Sequence, residues 1–256
     1  MQLGITDLPR LQHLTFTYPV ELSSFSMPRL SHVEWWSWLG PLPWFLSKLT
    51  HIEFHLSGKF DELEDLVTAL HSMKNLQDLY LKIKRCQLTF GDDVSLRSVH
   101  AVKPRSVHID RLVVSIVGET YHYSVLLFDA LTYLLPSKLE LSTTSTGTYL
   151  FNSKNEFFPY GSTIKLHVPK VFDVMRTLVD ILRSCDIVKT VDFDQAMGQF
   201  HHRRLENDDW ERLRSLDHLR FMNCDEFTES EVEALVTVKY HNSAVIHGRF
   251  ENAILD

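Results

Sequence analysis

Residues 8–16, 27–35 and 46–54 read LPRLQHLTF, MPRLSHVEW and LSKLTHIEF, three near copies of one nine-residue phrase. Each holds apolar residues at a fixed spacing: Leu11-x-x-Leu14-x-Phe16, Leu30-x-x-Val33-x-Trp35 and Leu49-x-x-Ile52-x-Phe54. The pattern continues as Leu76-x-x-Leu79-x-Leu81. It then weakens to Ile109-x-x-Leu112-x-Val114 and to the pairs Leu139/Leu141, Leu166/Val168 and Val191/Phe193, and closes on Leu216-x-x-Leu219-x-Phe221. In a strand, successive side chains point to opposite faces. Leu14 and Phe16 therefore face one way, and His13, Thr15 and Thr17 the other. No unit of this size buries its apolar face alone, so stacking the units is what makes a core.

From Leu11 to Leu30 and from Leu30 to Leu49 the step is 19 residues, from Leu49 to Leu76 it is 27, and the 140 residues from Leu76 to Leu216 divide into five further steps averaging 28. A period of 19 to 28 is the leucine-rich-repeat value, one short strand plus a return segment per unit. The fold class expected is α/β: a leucine-rich-repeat solenoid with a parallel sheet on the concave face and helices or irregular loops on the convex face. About nine strand units make residues 1–256 a single degenerate repeat domain, capped by an acidic region over roughly 205–256. Length alone, at ~150 residues per domain, had allowed one domain or two.

The longer steps have room for a helix. In 60–73, FDELEDLVTALHSM, the residues Leu63, Leu66, Val67 and Leu70 recur at helical spacing, with Asp61 and Glu62 placed where the helix dipole favours negative charge. Further helices are expected at 123–135, ending before Pro136, at 170–184 after Pro169, at 207–216 and at 229–239. The 19-residue steps hold too much Pro, Ser and Gly for helices, so extended or 3-10 connections are expected there.

Composition narrows the function classes. With 26 basic and 33 acidic residues the net charge is −7, the wrong sign for binding nucleic acid by counterion release. The acidic excess sits at the end, where 201–256 carries 7 basic and 12 acidic side chains. A polar cap or a docking site for a basic partner would account for it. Cys86, Cys185 and Cys224 are odd in number and widely spaced, which speaks against a disulfide framework or a zinc finger. The first residues lack the pattern of a signal peptide, and the most apolar stretch, 125–135, is too short to span a membrane. Cytoplasm or nucleus is the expected location. There is no nucleophile elbow, Walker loop, dinucleotide-binding glycine fingerprint or HExxH, so no enzyme activity, cofactor or catalytic residue is expected. Cys185, at a helix end beside Asp186, lacks the electropositive setting of a nucleophile.

Candidate binding residues follow from the strand alternation. His13, His32 and His51 share one repeat position and form an outward row; a ladder on an open sheet lacks the converging geometry of a metal site, so none is expected there. Protonation of that row would make any partner bound to it pH-sensitive. With the neighbouring outward positions, the candidate protein-binding face is His32, Glu34, Trp36, His51, Glu53, His55, Asp78, Tyr80 and Lys82, aromatic side chains set among charged ones as in protein interfaces. Trp35 reads as core and Trp36 as outward, while Trp38 and Trp44 are expected to pack over the short connections around Pro41 and Pro43. The stretch 201–204, HHRR, reads as a loop that offsets Glu206, Asp208 and Asp209.

The succession LPRLQHLTF, MPRLSHVEW, LSKLTHIEF, MKNLQDLYL and LDHLRFMNC resembles the degenerate leucine-rich repeats that follow the F-box in the F-box protein family of mushroom-forming (basidiomycete) fungi, and the likeness covers nearly the whole chain. It implies a substrate-recognition region of a cullin-type ubiquitin ligase, in which the F-box holds the Skp adaptor and the repeats hold a protein target. The F-box itself has no counterpart here, since Met1 leads into a repeat by Leu8, so the Skp adaptor is expected as a partner only if an F-box lies upstream. The position eight residues after each first Leu, Asn or Cys in regular repeats, is Pro19, Trp38, Ser57 and Lys84, and only Cys224 fits. A fragment, or a gene copy that has lost its N-terminal part, is the expected origin. A divergent enzyme or small-molecule binder with its pocket between repeats, and an inactive paralogue, stay open beside the protein-binding reading.

Overall fold

The computed structural model describes residues 7–17, 25–36, 44–57, 60–84, 106–117, 121–143, 150–152, 154, 156–158, 160–167, 171–194, 197–199 and 207–222. The expected helix at 229–239, the stretch 201–204, Trp38, Cys86, Cys224 and all of the acidic region except 207–222 lie outside them.

The principal strands are β1 (His13–Phe16), β2 (His32–Trp35), β3 (His51–Leu56), β4 (Asp78–Lys84), β5 (Val107–Val117), β6 (Leu134–Thr143), β7 (Thr163–His167), β9 (Thr190–Asp194) and β11 (His218–Met222). They form one nine-stranded sheet whose strands follow chain order, and every pairing is parallel. Two three-residue strands, β8 (Val171–Asp173) and β10 (Met197–Gln199), pair separately. The helices are α1 (Phe60–Ser72), α2 (Tyr121–Leu131), α3 (Val174–Ser184) and α4 (Asn207–Arg214), and a 3-10 turn spans Trp44–Lys48 in the second short step. The protein is an α/β, solenoid-like stack.

The register is the one the repeated phrase requires. Leu14, Val33, Ile52 and Leu79 stand side by side, as do Phe16, Trp35, Phe54 and Leu81, and both columns run on through the weaker units to Leu219 and Phe221. A recurring hydrogen bond marks six of the eight steps. The carbonyl before a strand accepts two successive amides of the next unit: Gln12 O from Ser31 and His32, Ser31 O from Thr50 and His51, Thr50 O from Gln77 and Asp78, and Gln77 O from Asp110 and Arg111. Ser162 and Lys189 repeat the arrangement near the other end. Inward columns and helix faces share one hydrophobic cluster that extends from Phe16 to Leu219.

Three expectations need correction. In the seventh unit the inward pair is Ile164 and Leu166, not Leu166 and Val168: Leu166 lies opposite Leu141 and Phe193, in the second column. A shift of two keeps the alternation and is invisible to a period-2 pattern. The turn before that strand is set by Gly161, whose φ of 127° a side chain rarely adopts. A Cβ there would also stand 3.3 Å from that of Leu139. The second helix ends at Leu131, and Leu134 and Leu135 belong to β6, opposite Val107 and His108. A short apolar run before a proline suits a buried strand as well as a helix. The third helix begins at Val174 rather than at 170, because Asp173 caps it by accepting from the Arg176 amide at 3.0 Å while 171–173 pair as β8.

Helix α1 starts near its expected place, and Glu62 reaches back to accept from the Ser57 amide and hydroxyl, each at 2.7 Å. That contact satisfies a carboxylate only 5% exposed. Among the described residues, no helix is long and apolar enough to cross a membrane.

Candidate functional site

The outward face of the sheet carries the candidate residues in two registered rows. His13, His32, His51, Asp78, Arg111 and Lys138 form the first; Thr15, Glu34, Glu53, Tyr80, Val113 and Glu140 form the second. Between them runs an open groove of about 250 Å³, lined by His13, His32, His51, Glu34, Glu53 and Tyr80 among others. On strands β2 to β4 the structure brings together all nine expected residues, with His55, Lys82 and Trp36 at the far edge.

The first row opens with a stack of three rings. The His13 and His32 centroids lie 4.2 Å apart, and His32 and His51 lie 4.0 Å apart at 13°. A hydroxyl one residue earlier holds two of them, Ser31 Oγ at 2.7 Å from His32 Nδ1 and Thr50 Oγ1 at 2.8 Å from His51 Nδ1. His51 Nε2 ends the stack 2.7 Å from Asp78 Oδ2, the next member of the row. Stacked rings direct their nitrogens along parallel planes, so the row does not converge on a point.

Trp36 is 41% exposed and Trp35 4%, as the alternation requires. The Trp36 ring lies on His55 at 3.6 Å and 14°, its Nε1 donates to Glu34 Oε1 at 2.7 Å, and Lys84 Nζ stands 5.2 Å from its centre. One departure is that His55, an outward position, is only 7% exposed, because Trp36 covers it. Lys82 Nζ and His55 Nε2 both approach Glu53 Oε1, at 2.5 and 2.8 Å.

The polar surface continues beyond Lys82, onto β5 and β6. Arg111 donates to Tyr80 Oη at 2.9 Å and to both Glu140 oxygens at 2.8 Å, and Lys138 reaches Glu140 at 2.8 Å. Burial alone would raise the Glu140 carboxyl, but the hydrogen bonds and charges of Arg111 and Lys138 outweigh it and hold the pKa low. The Leu112-x-Val114 unit already implied that Arg111 faces outward; its pairing with Glu140 needed the register of β5 on β6. At the far end Asp192, Lys165 and Arg220 continue the second row. Burial raises the Asp192 carboxyl despite those cations.

Two expected features resolve differently from the face. Cys185 is 1% exposed, its Sγ 3.4 Å from the Gly161 carbonyl, and burial raises its thiol. Asp209 is 4% exposed and is held by Arg183 of α3 through two 2.7 Å contacts.

Burial lowers the pKa of His32, helped by His51 and His13 and opposed by Asp78; burial also lowers His55, opposed chiefly by Glu53, and lowers His71. A base whose folded pKa lies below its unfolded value binds fewer protons when folded. Stability is therefore full above the ordinary value of 6.5 and declines as pH falls below it, until the folded pKa is passed. Asp192 acts in the opposite sense and nearer the carboxylate range. The thermal midpoint should fall between about pH 7.5 and 5.5 and fall less in His32→Asn; a midpoint that rises over this window contradicts the assignment.

Compared with known proteins, the chain matches no family model, no curated protein and no solved structure. The class that fold and face define is thus physical: a sequentially ordered parallel α/β stack with one face buried under helices and the other polar, aromatic and open.

Proposed function

We propose that this chain is a leucine-rich-repeat solenoid that binds another protein on the outward, concave face of β1–β4. It would serve as a substrate-recognition region like that of the F-box adaptors it resembles, in cytoplasm or nucleus. The observation that carries the reading is the continuous face from His13 to Glu140, in which Trp36 and Tyr80 stand as aromatic anchors within a rim of paired charges. Among the described residues the strands follow chain order, so the sheet has no reversal point of the kind at which doubly wound α/β folds place ligands. The groove is open and, at about 250 Å³, lies below the ~300–1,000 Å³ of small-molecule pockets. Recruitment of a ligase through the Skp adaptor is not part of the proposal for these residues.

Affinity capture from a lysate of a mushroom-forming fungus, the source that the resemblance implies, tests it with three baits. The unaltered chain should retain a stoichiometric partner. Trp36→Ala with Tyr80→Ala should lose it, since anchors of this kind contribute ~2 kcal/mol or more each. Arg176→Ala with Asp180→Ala, on the exposed side of α3, should keep it. A partner list unchanged by the Trp36/Tyr80 pair overturns the proposed face.

A further inference from the structure

His55 is the most deeply buried of the outward-facing side chains on β2 to β4, and it is held under an indole. Its Nε2 lies 2.8 Å from Glu53 Oε1 and 3.4 Å from Glu34 Oε1, yet neither oxygen lies along a ring N–H in hydrogen-bonding geometry, and Nδ1 has no partner either. A buried polar atom without a hydrogen bond in a native fold calls for a specific reason, an ion among them. One ligand atom from each of Glu34, Glu53 and His55 lies within 4.8 Å of the others. Ligands at ~2.0–2.2 Å from a tetrahedral zinc stand ~3–4 Å apart, so rotation of the glutamate carboxylates is enough to close the set.

We propose that Glu34, Glu53 and His55 form a zinc-binding site at the edge of the groove. One nitrogen with two carboxylates suits zinc, whereas magnesium and calcium demand oxygen shells. A neutral imidazole is the form that ligates, and His55 presents its Nε2 toward both carboxylates. The two carboxylates bring two negative charges. Lys82 Nζ, close to Glu53 Oε1, competes for one of them, and its side chain, 47% exposed, can turn into solvent when zinc binds. Trp36 takes no ligand position, but its stacked ring fixes the imidazole plane in place of a hydrogen bond to Nδ1. Three protein ligands leave a fourth position, which would open on the groove that Glu34 and Glu53 line. The row His13, His32 and His51 is separate: its rings stack rather than converge. The site does not depend on the protein-binding reading.

The test is zinc titration of the chelator-stripped full chain against a chromophoric competitor, with magnesium as the control ion. One zinc per chain is expected, with affinity weakened at least about tenfold in Glu53→Gln and in His55→Ala, since even supporting partners of a metal site are worth ~10–100-fold. Lys82→Met should tighten binding about fivefold, the effect of one unit charge a few ångströms away in a water-like dielectric. His13→Ala with His51→Ala should leave it unchanged. Glu53→Gln keeps the side-chain shape, so it decides the matter if His55→Ala does not fold. Absence of saturable zinc, zinc undiminished by Glu53→Gln, or zinc lost with the His13/His51 pair overturns the proposal.

Discussion

Phe54→Ala should destabilise the protein by about 3–5 kcal/mol, the range for removing a fully buried phenylalanine. Phe54 is 0% exposed, lies between Trp35 and Leu81 in the second inward column, and has its ring centre 6.1 Å from that of Trp35. Its lateral neighbours, Trp35 and Leu81, lie on strands held at fixed spacing by the sheet, which restricts relaxation into the vacancy. In a stack of repeats each unit buries only its neighbours, so the loss falls on the units beside it as well. Chemical denaturation measures the effect, with Trp36→Ala as the comparison. Trp36 is partly exposed on the opposite face, and its loss should cost about 1 kcal/mol, chiefly by uncovering His55. Similar costs for the two variants would mean that the inward and outward faces have been assigned wrongly.

Arg183→Ala should cost about 2 kcal/mol. The Asp209 side chain is 4% exposed and receives two 2.7 Å contacts from the Arg183 guanidinium, while Arg183 itself is 51% exposed. Breaking a fully buried pair costs ~3–5 kcal/mol; partial exposure of the arginine lowers that figure. The pair joins α3 to α4, so the variant should loosen α4 before the central strands, and Asp209→Asn in the same background should recover part of the loss by removing the stranded charge. Hydrogen exchange at 207–214 reads the local effect. No change in stability would contradict the structural role given to Asp209.

The repeated phrase at 8–16, 27–35 and 46–54 made the fold legible because two constraints coincide in it. Period-2 alternation names the faces, and near-identity between units names the register. Where the copies are close, as at Leu14, Val33 and Ile52, both the columns and the outward row of histidines follow from sequence alone. Where they diverge, alternation survives and register does not, so sequence alone does not show that Leu166 stands in the second column or that Leu134 belongs to a strand. The nine residues of the candidate face were readable for the same reason. Burial of His55 was not, since it depends on Trp36 folding across from the neighbouring strand. The pairing of Arg111 with Glu140, 29 residues apart, likewise needs the register of β5 on β6. The convergence of Glu34, Glu53 and His55 has no local motif, because its members come from two strands and meet only when those strands are in register.

The central claim, that the outward face of β1–β4 is where this protein acts, is tested most directly by hydrogen exchange on the chain with and without its captured partner. Protection is predicted across 32–36, 51–56 and 78–84, with little change across the helices at 60–72 and 174–184. Protection confined to those helices, with the three strand segments unchanged, would contradict it.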